Sequence, residues 1–251
     1  AVVRVGEEPS SVAYERSILR AGHSAGIQAD SVFLPEDASA AQLERAIREL
    51  NDDAGVHGVI VLQPLPAHLS RFSVADVVDP AKDIDGITVY NAGRLFHDDR
   101  DVLAPSTPAG GMALLKHYQV EIAGKHAVVV GRSSVVGKPM AMMLLAADAT
   151  VTICHSRTRD LAAICRQGDI LVSAVGRAGI ITAEHIKPGA TIVDFGVNFV
   201  EGTMTGDVDA GSALAVAGAL TPVPGGTGRV TTAVLVRNTI KAAALQCARL
   251  K

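Results

Sequence analysis

With 251 residues, 48% hydrophobic and 20% charged, and no tryptophan, the chain is too long for one small core and fits two modest domains or one large one. A net charge of −3 with acids and bases interspersed argues against nucleic acid as the main partner and leaves no membrane-surface patch or tail. Three scattered cysteines, Cys154, Cys165 and Cys247, form no CxxC pair, which suits core thiols in a reducing cytosol. We find no metal site, signal peptide or bilayer-spanning run.

The chain starts abruptly at an apolar strand, Ala1 to Val5, and a segment preceding it is expected. Gly6 to Ser11 read as a turn with a helix cap, leading to a helix from about Val12 to Ala25 that Gly26 stops. Tyr14 and Ile18 share a face of it, while Arg16 and Arg20 point elsewhere. A second strand, Ser31 to Leu34, precedes a helix from about Ala40 to Leu50, capped by Ser39, with Leu43, Ile47 and Leu50 as its apolar stripe. Strand three, Gly58 to Leu62, breaks at Gln63-Pro64-Leu65-Pro66, where the prolines forbid further pairing. A polar stretch ends in Lys82-Asp83-Ile84-Asp85-Gly86, in which Asp83 and Asp85 are either turn residues or ligands for a polar substrate ring. Pro105 to Gly110 cap a helix through Leu114 to Tyr118 that links two lobes.

The second half is organised around Val128-Val129-Val130-Gly131-Arg132-Ser133-Ser134-Val135-Val136-Gly137-Lys138-Pro139-Met140, a strand, tight turn and helix. Such a turn aims backbone N–H groups at an anion, usually a phosphate, although any parallel α/β protein also needs glycine there. Five residues separate Gly131 from Gly137 and Pro139 follows Lys138, so neither the dinucleotide fingerprint nor the Walker loop is matched. The next strand, Thr150 to Cys154, runs into His155-Ser156-Arg157-Thr158, with no acid for the ribose hydroxyls of NAD. Arg132 in the first turn and Ser156-Arg157 after the second strand suit a 2′-phosphate, favouring NADP. His155 is either part of that site or a strand-end residue bonded to backbone. A helix near Asp160 to Arg166 follows, then two buried strands, Asp169 to Gly176 and Thr191 to Asn198. In the first of them the small residues Ala174 and Gly176, around Val175, let a ligand approach the backbone. Leu220 to Arg229 form a Pro/Gly-rich loop before a final helix, about Val230 to Leu250. The alternation predicts an α/β protein with parallel sheets, its ligands at the carboxyl ends of the strands and in a cleft between lobes.

Taken together, these stretches resemble one family, the bifunctional methylenetetrahydrofolate dehydrogenase/cyclohydrolases of one-carbon metabolism. The likeness covers nearly the whole chain: Val5 to Ser11 with Tyr14, Pro64-Leu65-Pro66, Lys82 to Gly86 with Tyr90 to Leu95, and Pro105 to Pro108. It continues through Gly131-Arg132-Ser133 with Val136 to Met140, His155 to Thr158, and Thr221 to Gly226. It implies a substrate domain over residues 1–112 joined by helix 231–251, and a Rossmann-like NADP domain over 113–230. It also implies a helix ahead of the first strand, a cytoplasmic homodimer, and hydride transfer from 5,10-methylenetetrahydrofolate to NADP. By the same resemblance Tyr14 flanks the reduced folate, Asp85 holds the pterin, Pro224-Gly225-Gly226 lie beside the substrate, and Arg132 and Ser156 meet the 2′-phosphate. Gly131, Ser133, Val136, Gly137, His155, Arg157, Ala174, Val175 and Gly176 complete the expected cofactor set.

Three positions depart from the family pattern. The lysine of the cyclohydrolase step, four residues after the tyrosine, is Ile18, which can relay no proton. Gln63 stands one place later than the family glutamine that supports that lysine, and one step along a strand end reverses side-chain direction. Arg229 puts a new charge near the expected substrate mouth, either as surface cover or as a site for a different anionic group. Cyclohydrolase activity is therefore expected to be weak or absent. The alternatives are a divergent paralogue acting on another substrate and a non-catalytic folate or nucleotide sensor.

Overall fold

The computed structural model describes residues 1–69, 71–99 and 101–249, without the side chains of residues 71–73 and 249. Two compact units emerge, Ala1–Ser106 with Thr232–Lys251, and Thr107–Thr231. In chain order the elements are β1 (Val2–Val5), α1 (Pro9–Ser24), β2 (Ser31–Leu34), α2 (Ala40–Asp52), β3 (Ile60–Val61), α3 (Arg71–Val77), α4 (Val89–Phe96) and α5 (Ser106–His117). Then come β4 (His126–Val130), α6 (Gly137–Ala146), β5 (Thr150–Cys154), α7 (Leu161–Cys165), β6 (Ile170–Ser173) and β7 (Thr191–Asp194). The remainder are β8 (Asn198–Val200), β9 (Thr203–Thr205), α8 (Ala210–Ala213), β10 (Ala219–Leu220) and α9 (Thr227–Arg249).

The first unit holds a parallel sheet ordered β2-β1-β3, with Val3 opposite Val32 and Val61. Alternation along β1 sends Val3 and Val5 to one face, against Leu43 and Ile47 of α2, and Val2 to the other, against Ile18, Ile60 and Leu235. Helix α1 begins at Pro9, three residues before the predicted start, because Glu8 accepts from Ser11 N at 2.8 Å and proline suits the first helical position. Ser39 caps α2 through a reciprocal box with Gln42. The third strand is shorter than expected, Ile60–Val61, with Val59 bridging to Asp83 instead. The polar stretch after it contains α3 and α4, which the sequence reading passed over. The later part of α9 is tied down by Asn238 Nδ2, which donates to Ile84 O at 2.8 Å and Ala104 O at 2.9 Å, and by Gln246 Nε2, which donates to His57 O at 2.8 Å.

The second unit carries a five-stranded parallel sheet ordered β10-β7-β6-β4-β5. One face packs Val128, Leu171 and Ile192 against Ile181, Ile186 and Cys165; the other packs Val129, Val172 and Val193 against Met140 and Leu144. These strands are apolar on both faces, as parallel strands covered twice must be. The predicted strand through Asn198 stops at Asp194, whose side chain accepts from Gly196 N at 2.7 Å and turns the chain, so that Asn198 enters the antiparallel pair β8 and β9. Helix α9 starts at Thr227, earlier than predicted, and its expected end at Leu250 lies outside the described residues. Among the described residues no helix is long and apolar enough to cross a membrane.

Candidate functional site

In Lys82-Asp83-Ile84-Asp85-Gly86 the fold gives each charged residue a different task. Lys82 is buried, and its Nζ donates to the carbonyls of Leu50 at 3.0 Å, Asn51 at 2.6 Å and Asp53 at 2.7 Å, satisfying the end of α2. Asp83 is buried too and accepts from Ile87 N at 3.1 Å, Thr88 N at 2.8 Å, Thr88 Oγ1 at 2.7 Å and Asn91 Nδ2 at 2.9 Å, which sets the start of α4. Of the two readings open for this aspartate, the turn residue is the one its contacts describe.

Asp85 is engaged differently. It takes a hydrogen bond from the hydroxyl of Ser106, the first residue of α5, and lies close enough to Tyr14 of α1 for their charges to interact. Burial, opposed by the Ser106 hydrogen bond and reinforced by the Asp83 carboxylate, pushes Asp85 up to about 6. Burial and then the Asp85 carboxylate hold the Tyr14 phenol well above its ordinary range, against a hydrogen bond with Ser106. Tyr14, Asp85 and Ser106 thus form one group of a neutral phenol, a hydroxyl and a carboxyl that changes charge near neutrality. Such a group can hold the donor edge of a heteroaromatic ring.

Beside it lies an apolar wall. Ile18, on the same face of α1 as Tyr14, is 6% exposed, and Leu62 is 2% exposed; both belong to the cluster of Ile84, Leu103 and Leu235, on which Tyr14 also packs. Gln63 is exposed and its Oε1 accepts from Leu65 N at 3.3 Å, while its carbonyl accepts from Ser11 Oγ at 3.1 Å. Gln63, a candidate catalytic residue, thus turns its amide oxygen back onto its own loop. At this strand end the inward direction falls on Leu62.

In the second unit Gly131, at φ +126, follows β4, and a Cβ there would sit 2.2 Å from Ala174 O, so only glycine lets the turn lie against the end of β6. Ser133 Oγ accepts from Val136 N at 3.1 Å and Gly137 N at 3.3 Å. These two amides, expected to face an anion, are met by the turn itself, and the charged Arg132 and Lys138 are exposed on it. After β5, Thr158 N donates to His155 O at 2.8 Å, His155 N to Thr158 Oγ1 at 2.8 Å and Arg157 N to His155 Nδ1 at 3.1 Å. His155 is thus bonded to backbone, and Ser156 and Arg157 are exposed at the tip. Because β5 and β6 flank β4, the three loops carrying Gly131 to Gly137, His155 to Arg157 and Ala174 to Gly176 meet at one carboxyl edge. Pro224 and Gly225 are exposed and Gly226 buried just before α9, in whose first turn Arg229 is exposed.

Residues 1–85 match the tetrahydrofolate dehydrogenase/cyclohydrolase catalytic domain, and residues 105–247 match the NAD(P)-binding domain of the same proteins. The chain belongs to the tetrahydrofolate dehydrogenase/cyclohydrolase family. A relative named bifunctional protein FolD from Chloroflexus aggregans is 54% identical over 243 residues, 96% of this chain and 85% of that protein. The crystal structure of the bifunctional FolD enzyme from Campylobacter jejuni superposes with a TM-score of 0.94 at 39% identity, covering 97% of this chain and 87% of that one. The Trypanosoma brucei dehydrogenase-cyclohydrolase, solved with NADP cofactor and inhibitor, gives a TM-score of 0.93 at 36% identity over 98% and 86% of the two chains. Tyr14, Asp85 and the three loops at the carboxyl edge are all positions the motif reading singles out. It gives Ser106 no role, although Ser106 lies in the Pro105 to Pro108 motif and opens a helix.

Proposed function

We propose that the protein oxidises 5,10-methylenetetrahydrofolate to 5,10-methenyltetrahydrofolate with NADP and carries little or no cyclohydrolase activity. The observation that supports the second half is the Ile18 and Leu62 pair: where the family's lysine and its glutamine partner are expected, two hydrocarbon side chains pack in one buried cluster. Opening the methenyl cation needs a group that takes a proton from the attacking water, and neither residue can do so. Arg20 is exposed and, six residues after Tyr14, turned about 120° around α1, so it offers no substitute.

Oxidation asks less of the protein. Asp85, its orientation set by Ser106, accepts from the amino-pyrimidine edge of the pterin, and Tyr14 covers the ring. NADP, when bound, supplies the two-electron acceptor; positioning of the two reactants is the protein's contribution. The residues at the carboxyl edge of the second sheet fit this cofactor, since Arg132 and Arg157 are exposed there with Ser156 and can meet a 2′-phosphate.

The test is an assay of purified protein with methylenetetrahydrofolate and NADP, and separately with the methenyl compound. Methenyltetrahydrofolate should accumulate as NADPH forms, and the methenyl compound should decay at its uncatalysed rate. Prompt conversion of either to 10-formyltetrahydrofolate would overturn the monofunctional reading. NADP binding without turnover of any reduced folate would replace it with a divergent paralogue.

A further inference from the structure

Asp207 is fully buried and accepts hydrogen bonds on both carboxylate oxygens: from Val175 N at 2.7 Å, Gly176 N at 3.1 Å, Arg177 N at 2.8 Å, Ser173 Oγ at 3.2 Å and Asn198 Nδ2 at 3.0 Å. Every donor is neutral, and three are successive amides of the loop that leaves β6. A second buried carboxylate, Asp194 at the end of β7, accepts from the backbone of Asp207 at 3.2 Å and Val208 at 2.9 Å and so holds the segment carrying Asp207 in place. The surrounding backbone is shaped to admit both groups: a Cβ on Gly196 would lie 2.3 Å from Asp207 Oδ1, and one on Gly206 would lie 1.9 Å from Asp194 Oδ2. Two adjacent carboxylates sealed from water are costly, and burial raises Asp194 above the ordinary carboxylate range.

Three successive N–H groups converging on one point form a concavity of the kind that binds phosphate. Here the concavity is filled by the chain's own carboxylate. The peptides concerned are trans, so each carbonyl points opposite to the N–H of its own unit. With the amides of residues 175, 176 and 177 turned to Asp207, the carbonyls of residues 174, 175 and 176 lie on the far side of the loop. That of Ala174 lies against Gly131, and those of Val175 and Gly176, both exposed residues, form an edge of acceptors. Such an edge repels phosphate and matches hydroxyl and amide N–H groups.

We propose that Asp207 is a positioning residue for the nicotinamide half of the cofactor. By holding the 175–177 amides inward it presents the loop's carbonyls to the ribose hydroxyls and the carboxamide N–H of that half, and leaves the phosphates to the turn after β4. The inference rests on the NADP reading given above. It separates the two halves of the dinucleotide: the adenosine 2′-phosphate end is served by Arg132, Ser156 and Arg157, none of which touches Asp207.

The experiment compares wild type with Asp207→Asn, in which an amide NH₂ faces donors, for binding of NADP and of adenosine 2′,5′-bisphosphate by calorimetry, with thermal unfolding alongside. NADP affinity should fall about tenfold or more, the loss of one to two hydrogen bonds, while affinity for the bisphosphate stays within about twofold. Equal losses for both ligands, or no loss for either, would overturn the proposal. Asn198→Ala removes a single donor to Asp207 and covers the case in which Asp207→Asn fails to fold; it should weaken NADP alone, by about threefold, and an unchanged NADP affinity would again overturn the proposal. Wild type that binds neither ligand would instead defeat the NADP reading itself.

Discussion

Placing an amine at position 18 tests the proposal of little or no cyclohydrolase activity most directly. Ile18 is 6% exposed, so Ile18→Lys removes about 1.5–3 kcal/mol of hydrocarbon burial. It also places an ammonium among Leu62, Ile84 and Leu235, at a further cost of several kcal/mol that attraction to Asp85 only partly offsets. A net loss of about 3–5 kcal/mol is expected, which for a chain of this size lowers Tm on the order of 10 °C. Adding Leu62→Gln supplies an amide partner from the neighbouring strand end and should recover part of that loss. If proton relay is what the wild type lacks, the double variant should hydrolyse methenyltetrahydrofolate about 10²–10⁴ times faster, or about 2.7–5.4 kcal/mol of barrier. The assay follows enzyme-dependent disappearance of the methenyl compound, with the dehydrogenase rate as a control for folding. A double variant that folds and keeps its dehydrogenase rate yet hydrolyses no faster than wild type would refute the reasoning. So would a wild type that already hydrolyses at the variant's rate.

Raising Asp85 from 3.8 to about 6 means the folded protein binds this proton more tightly than the unfolded chain. Stability should therefore fall as pH rises from about 4 to about 6, by at most about 3 kcal/mol, and stay lowered above that. Asp85→Asn should abolish this dependence, unfolding later than wild type at pH 7 and level with it near pH 3.5 while losing folate turnover; parallel pH profiles for the two proteins would count against the assignment. In the wild type, KM for the folate should rise as the carboxylate is protonated below about pH 6, whereas KM for NADP should not. Lys82→Met strands three carbonyls at the end of α2 and should cost about 3 kcal/mol in urea unfolding with NADP affinity unchanged; an unshifted midpoint would show the contacts to be dispensable. Arg132→Gln should raise KM for NADP about tenfold and leave that for NAD alone, and equal effects on both would remove Arg132 from the 2′-phosphate.

Much of this was legible without coordinates. Ser31 to Leu34 and Thr150 to Cys154 run as read, and Ser39 caps α2, because hydrophobic period and cap chemistry are properties of a few adjacent residues. The short helices α3 and α4 span only Arg71–Val77 and Val89–Phe96, too few residues to show a helical period, and the start of α4 at Thr88 is fixed by Asp83, five residues earlier.

The amino-acid sequence by itself determined the α/β class, the order of most strands, the family and the lack of an amine at position 18, since each is written in local pattern or in motif order. Tertiary structure alone decided which of two nearby aspartates remains available, which of Leu62 and Gln63 turns inward, and which carboxylate holds the loop after β6. Those outcomes rest on partners far along the chain: Ser106 meets Asp85 across 21 residues, and Asp207 meets Val175 across 32. A side chain's task follows from whichever donors folding brings beside it, and no local pattern carries that information.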